Sequence, residues 1–248
     1  MKKAILTLAL AAVASSSMSG FVYGPVLAHT NNSAPLAVRS DVAAKAGVSD
    51  KAVSAADVQM KAIEFIDAYN FTGLVKYCSE VIATNPDMPE AYYFRAVGNY
   101  QLQEELETVK ADLDKSLELN PQYIDAFFGH AIVATDMSDF ESAINDYSSV
   151  LALQPENLDA LVARMELHDY LGDLKGLESD YTHWISIAPS EPNAYYGRAV
   201  VRAEMNEIAN AIADLEQTSK LLVAAGADSK LKEVEALIAR LKNGETIG

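Results

Sequence analysis

PQYIDAFFGHAIVATDMSDFESAINDYSSVLALQP, from Pro121 to Pro155, carries the pattern from which the architecture follows. It holds two apolar runs at helical spacing, separated by Ser138-Asp139. The second run places Phe140, Ala143, Ile144, Tyr147, Val150 and Leu151 so that each has a partner three or four residues away, which is the period of one helix face. Ser138-Asp139-Phe140-Glu141 has the residue types of a capping box and predicts a helix start there. A proline closes the stretch, where its missing N–H and its ring end a helix.

The same pattern recurs along the chain. Pro86, Pro121, Pro155 and Pro189 are spaced 35, 34 and 34 residues apart, and five residues after each stands an alanine, Ala91, Ala126, Ala160 or Ala194. Repetition at this period marks a stacked-repeat architecture. One helix pair cannot hide its own apolar face, so stacking on the next pair supplies the core. Small residues predict close helix approach: Ala62, Ala96, Ala131 and Ala199 in the first helices, Ala143 and Ala211 in the second. Cys78, Leu113, Tyr147, Tyr181 and Leu215 share one larger core position. Asn70, Ser138-Asp139, Gly172-Asp173 and Asn206-Glu207 are turn residues between the two helices of a pair. The 35-residue spacing implies one extra residue in a turn, near Leu102 to Glu105. After Gly226-Ala227-Asp228, the stretch Ser229–Lys242 alternates Leu231, Val234, Leu237, Ile238 and Leu241 with Lys and Glu, the pattern of an amphipathic capping helix.

A 34-residue helix–turn–helix unit of this kind resembles the tetratricopeptide repeat. Ser116-Leu117-Glu118-Leu119-Asn120-Pro121 and Leu151-Ala152-Leu153-Gln154-Pro155 look like that family's second-helix ending, and Asp139-Phe140-Glu141-Ser142-Ala143-Ile144 looks like its second-helix start. The resemblance implies an all-α, right-handed superhelical solenoid of about five repeats, at 55–88, 89–123, 124–157, 158–191 and 192–225, with a capping helix and tail at 226–248. Ser54-Ala55-Ala56-Asp57 is the helix-start signal of the first repeat.

The N-terminal part reads differently. Lys2 and Lys3 precede an apolar run from Ala4 to Ala14, too short for a membrane-spanning helix and suited to a secretory signal peptide. We expect a signal peptide at 1–28 cut after Ala28, with cuts after Ala14 or near Ser19 as competing choices, and a flexible leader at 29–54. The expected location is therefore periplasmic or secreted. Removing two lysines and no acid would take the formal net charge from −16 to −18. Such a polyanion is a poor ligand for nucleic acid or an anionic membrane surface. One cysteine excludes an intramolecular disulfide framework.

The chemistry-bearing residues point away from catalysis. Cys78 falls on an apolar face and predicts a buried thiol, and Trp184 falls at a core position. No two of His29, His130, His168 and His183 stand at i and i+4, the usual pairing of a helical metal site. No phosphate loop or nucleophile elbow is present, so no catalytic residue, cofactor or metal is expected. A base follows each of the four prolines by nine residues, at Arg95, His130, Arg164 and Arg198, while the second helices carry Asp112, Asp146, Asp180 and Asp214. This predicts a ladder of ion pairs, with a ligand-binding row of bases as the other reading.

A second face of the first helices carries the functional expectation. In proteins with this resemblance such positions line a concave groove for peptides or partner helices. Here they are Tyr93, Phe128 and Tyr196, then Val97, Ile132 and Glu166, then Tyr100, with the acids Glu90, Asp125, Asp136, Asp159 and Glu204 along the border. Acids and aromatics thus stand where the family's clamp for acidic chaperone tails carries Lys, Arg and Asn. The reading is a non-catalytic protein–protein interaction module of the bacterial cell envelope, whose partner segment is apolar with some basic character. Two other readings stand beside it, a groove-based small-molecule receptor or enzyme and a structural spacer.

Overall fold

Residues 53–245 are described by the computed structural model; the expected signal peptide, its cut after Ala28, the leader as far as residue 52 and residues 246–248 lie outside the described residues. The described chain is all-α, with eleven helices and no strand. They are α1 (Ala55–Asp67), α2 (Phe71–Thr84), α3 (Pro89–Gln101), α4 (Leu106–Leu119), α5 (Ile124–Asp136), α6 (Phe140–Leu153), α7 (Leu158–Leu171), α8 (Leu174–Ile187), α9 (Pro192–Glu204), α10 (Ile208–Ala225) and α11 (Asp228–Lys242). The first ten form five successive pairs, and α11 packs against α10. No described helix is long and apolar enough to cross a membrane. The chain divides into two compact units, with the boundary inside α6 between Ser149 and Val150.

In the unit ending at Ser149, Val58, Ala62, Leu74, Cys78, Val81, Ala91, Ala96, Val109, Leu113 and Ala126 form a core between α1 and α5. In the unit from Val150, Ala199, Ala211, Leu215, Leu222, Val234, Leu237 and Leu241 form a core of α9, α10 and α11. Cys78 and Trp184 are both buried, and burial pushes the Cys78 thiol up to about 12, which keeps it protonated and inert at neutral pH. Close helix approach is visible at Gly197. A Cβ there would fall 2.2 Å from the ring of Tyr181, which is itself fully buried, so only glycine admits that ring.

The turn inside each pair is built the same way five times. Tyr69, Gln103, Ser138, Gly172 and Asn206 all adopt positive φ, between 52° and 69°. The next polar residue caps the following helix in three of them. Asn70 accepts from the Gly73 N–H at 2.9 Å, Asp139 from the Ser142 N–H at 3.2 Å and Asp173 from the Gly176 N–H at 3.1 Å. Asp139 is therefore the cap of α6, and Ser138, expected to open a capping box, is the left-handed turn residue instead. The Ser54 capping box does form, with Ser54 Oγ accepting from the Asp57 N–H at 3.2 Å and Asp57 accepting from the Ser54 N–H at 3.0 Å. The extra residue of the long repeat lies after Gln103, where Glu104 and Glu105 precede α4 and a single residue suffices in the other turns.

Gly172 is the only glycine among these five turn residues. Nothing lies within 4 Å of a Cβ built there, so a substitution meets backbone strain and no clash. Gly172→Ala should lower stability by about 1 kcal/mol, the penalty of a left-handed backbone for an L-residue. A urea melt of the two proteins checks it; an unchanged midpoint would show that the turn relaxes.

Candidate functional site

Two constellations of the sequence reading are resolved. The first is the ion-pair ladder, which forms within the helix pairs. Arg95 on α3 donates to both oxygens of Asp112 on α4, Nε to Oδ2 at 2.8 Å and Nη2 to Oδ1 at 2.6 Å. Arg198 on α9 repeats this with Asp214 on α10, at 2.9 and 2.8 Å. Arg164 on α7 reaches Asp180 on α8, Nε to Oδ1 at 3.0 Å. His130 on α5 takes the equivalent rung, its Nδ1 lying 2.6 Å from Asp146 Oδ2 on α6. All four aspartates are buried. Burial pushes the Asp180 carboxyl up despite the pull of Arg164, and its Oδ2 is buried without a hydrogen bond.

One member of the ladder was missed in the sequence. Arg202 donates from Nη1 to Asp214 Oδ2 at 2.8 Å and from Nε to Glu178 Oε1 on α8 at 2.7 Å. Arg198 also donates to Thr182 Oγ1 on α8 at 3.0 Å. The pair α9–α10 is thereby tied to α8. The available signal was the i, i+4 relation of Arg202 to Arg198, which puts both guanidinium groups on one face.

The second constellation is the first-helix face, and the structure divides its residues. Tyr93 is only 4% exposed and belongs to the core; its ring centroid lies 5.0 Å from that of Phe94 and 5.1 Å from that of Tyr123. Burial pushes both Tyr93 and Tyr123 well above the ordinary tyrosine range. Tyr93 is thus a packing residue and not an exposed anchor, because Tyr123, at the start of the next pair, closes over it. Val97, at 6% exposure, is likewise core, with only an edge on the face. Phe128 is half-buried and meets Tyr147 edge-on at 5.8 Å. In the other unit, Glu166 is exposed, and Tyr196 is half-buried and packs against the core of α9, α10 and α11. The C-terminal helix therefore takes part of the Tyr196 surface expected for a partner.

Val97, Tyr100 and Ile132 do come together. With Ala96, Gln101, Val109, Leu113, Gly129 and Val133 they line a small cleft among α3, α4 and α5. Its volume is about 20 Å³, room for little more than one methyl-sized group. The wall is almost wholly apolar. Tyr100 donates its hydroxyl to Asp136 Oδ2 at 2.7 Å, which sets an acid at the rim. Burial, followed by that hydrogen bond, pushes the Tyr100 hydroxyl up to about 12, so it stays a donor at neutral pH. Asp125, on the same helix as Ile132, is raised by burial. Gly129, Val109 and Leu113 were not singled out in the sequence as part of this surface; Gly129 sits where a Cβ would come within 3.1 Å of Leu113, which keeps α5 close to α4. Among the described residues, no group of three His, Cys, Asp or Glu side chains could hold a metal ion.

No family model and no curated protein matches the chain. Solved structures do. A structure of Naa15/Naa10 bound to HypK-THB has a TM-score of 0.57 at 14% identity, covering 73% of this chain and 30% of that one. The MamA protein has a TM-score of 0.53 at 14% identity, covering 70% of this chain and 94% of that one. A tetratricopeptide repeat protein from Parabacteroides merdae has a TM-score of 0.50 at 18% identity, covering 76% and 73%. At these identities the likeness concerns the fold alone, and the chain accordingly has an all-α, tetratricopeptide-like repeat fold.

Proposed function

We propose that the chain is an exported, non-catalytic protein-interaction module of the bacterial cell envelope, and that the first-helix face of the unit ending at Ser149 receives a partner segment. The observation that carries this reading is the apolar cleft of Val97, Tyr100 and Ile132 with Asp136 hydrogen-bonded at its rim. The terminal methyl of a partner's aliphatic side chain fits the cleft, and a neighbouring Lys or Arg fits the acidic border. The formal charge of −16 favours a basic partner and steers its approach. A tetratricopeptide-like fold also occurs in Naa15/Naa10, whose structure was solved with HypK-THB bound, so a fold of this kind accommodates a protein partner. Export rests on the two lysines and short apolar run at the start of the sequence. A small-molecule site is less well supported, because about 20 Å³ falls far below the roughly 300 Å³ at which ligand pockets begin.

Capture from a cell-envelope extract, with the full chain as bait, tests the reading when wild type and Ile132→Lys are run side by side. The lysine would sit four residues before Asp136, a favourable helical spacing, so the fold should persist. It also puts a positive charge where a basic partner must land. Partners of wild type should bind the variant at least about tenfold more weakly, and 0.5 M salt should weaken binding to wild type. An unchanged partner set on a folded variant would place the binding surface elsewhere.

A further inference from the structure

The ladder has one rung that can lose its charge. Arginines hold three of its four rungs, and they stay protonated at any physiological pH. The fourth is His130, 7% exposed, standing between two carboxylates from different helices. Its Nδ1 lies 2.6 Å from Asp146 Oδ2 on α6, and its Nε2 lies 3.1 Å from Asp114 Oδ1 on α4. We propose that His130 is a pH-sensitive latch that ties α5 to both α4 and α6 as an imidazolium and lets go of α4 when it becomes neutral.

The latch turns on proton count. An imidazolium carries an N–H on each nitrogen and so meets both acids with positive charge. A neutral ring keeps one proton. The short contact to Asp146 holds that proton on Nδ1, leaving the Nε2 lone pair facing the Asp114 oxygen with no proton between them. Nε2 is buried and makes no hydrogen bond, so its tie to Asp114 rests on charge and proximity alone. Asp114 is half-exposed and keeps Lys110 and water as partners, so the α4 contact simply loses its attraction. The other charges facing the ring modify this without reversing it. On α4, Lys110 donates to Asp114 at 2.8 and 3.1 Å and offsets part of that acid's pull. At the start of α6, Asp139 adds a weak favourable charge. The balance favours the proton: the hydrogen bond to Asp146 holds the His130 ring above the ordinary histidine range, against the opposing effect of burial.

The sign follows from that direction. A base whose folded-state pKa is raised contributes stability that is full below about pH 6.5 and is lost as pH rises through the folded value. The unit ending at Ser149 should thus be held more tightly in mild acid than in mild alkali. Helix α5 also carries Phe128 and Ile132, so the same step would loosen the proposed interaction surface; that corollary rests on the interaction reading, whereas the latch does not.

Hydrogen exchange of the full chain, followed peptide by peptide at pH 6.0 and pH 8.5 and corrected for the intrinsic rate, tests the latch. Amides of α4 and α5 in wild type should open several-fold more readily at pH 8.5 than at pH 6.0. His130→Arg should abolish the difference, since it restores the rung used by the other pairs. His168→Gln should leave the difference in place. Equal protection of wild type at both pH values would overturn the proposal, as would the same pH dependence in His130→Arg. Should the arginine variant fail to fold, the imidazole of wild type can be titrated directly by nitrogen-detected NMR; a His130 ring already neutral at pH 6.0 overturns it equally.

Discussion

Asp214→Ala should lower the stability of the unit from Val150 by about 3–5 kcal/mol, the range for removing one partner of a buried ion pair. Asp214 is 5% exposed and accepts three hydrogen bonds, two from Arg198 and one from Arg202. Its loss leaves two guanidinium groups, both largely shielded from water, with Thr182 and Glu178 as their hydrogen-bond partners and only Glu178 to offset their charge. Trp184, the single tryptophan, is buried on α8, the helix that also carries Glu178 and Thr182, so its fluorescence reports the transition in urea. The comparison is Lys115→Ala, which removes an exposed pair with Glu118 and should change stability by less than about 1 kcal/mol. The double change Asp214→Leu with Arg198→Met should recover part of the loss, because well-packed apolar groups often replace a buried ion pair without penalty. A drop of under about 1 kcal/mol for Asp214→Ala would show that the network is solvated and contributes little.

Tyr93→Ala should destabilise the unit ending at Ser149 by about 3–5 kcal/mol, the range for removing a large aromatic side chain from a core. Tyr93 packs between Phe94 and Tyr123, and the core around it includes Ala91, Val97, Leu113 and Ala126. Deleting the ring removes both aromatic contacts and opens a cavity that helices on either side cannot easily close. Phe128→Ala, at a half-buried position, should be milder. Thermal melts followed by far-UV circular dichroism separate the two. A Tyr93→Ala protein that melts like wild type would return Tyr93 to the role of a surface anchor.

The helix pairs and their period are written in the order of residues alone. Four prolines about 34 residues apart, each ending a helix, leave room for two helices and a turn, and period alone carries that information. The ladder was legible for the same reason. A base nine residues after each proline and an aspartate on the following helix share one register, so every pair presents them to each other. The extra residue of the long repeat was legible as well, since a spacing of 35 can be absorbed only where the backbone is not helical. Tertiary structure alone decided which face residues remain available to a partner. Tyr93, Phe128 and Tyr196 each stand seven residues after a proline, yet Tyr123 covers the first and the α11 core takes up part of the third. Register says where a side chain leaves its own helix, but exposure depends on side chains from the next element, about 30 residues further along the chain. The charge of the rung at His130 is decided in the same way, by Asp114 arriving from α4 while Asp146 arrives from α6.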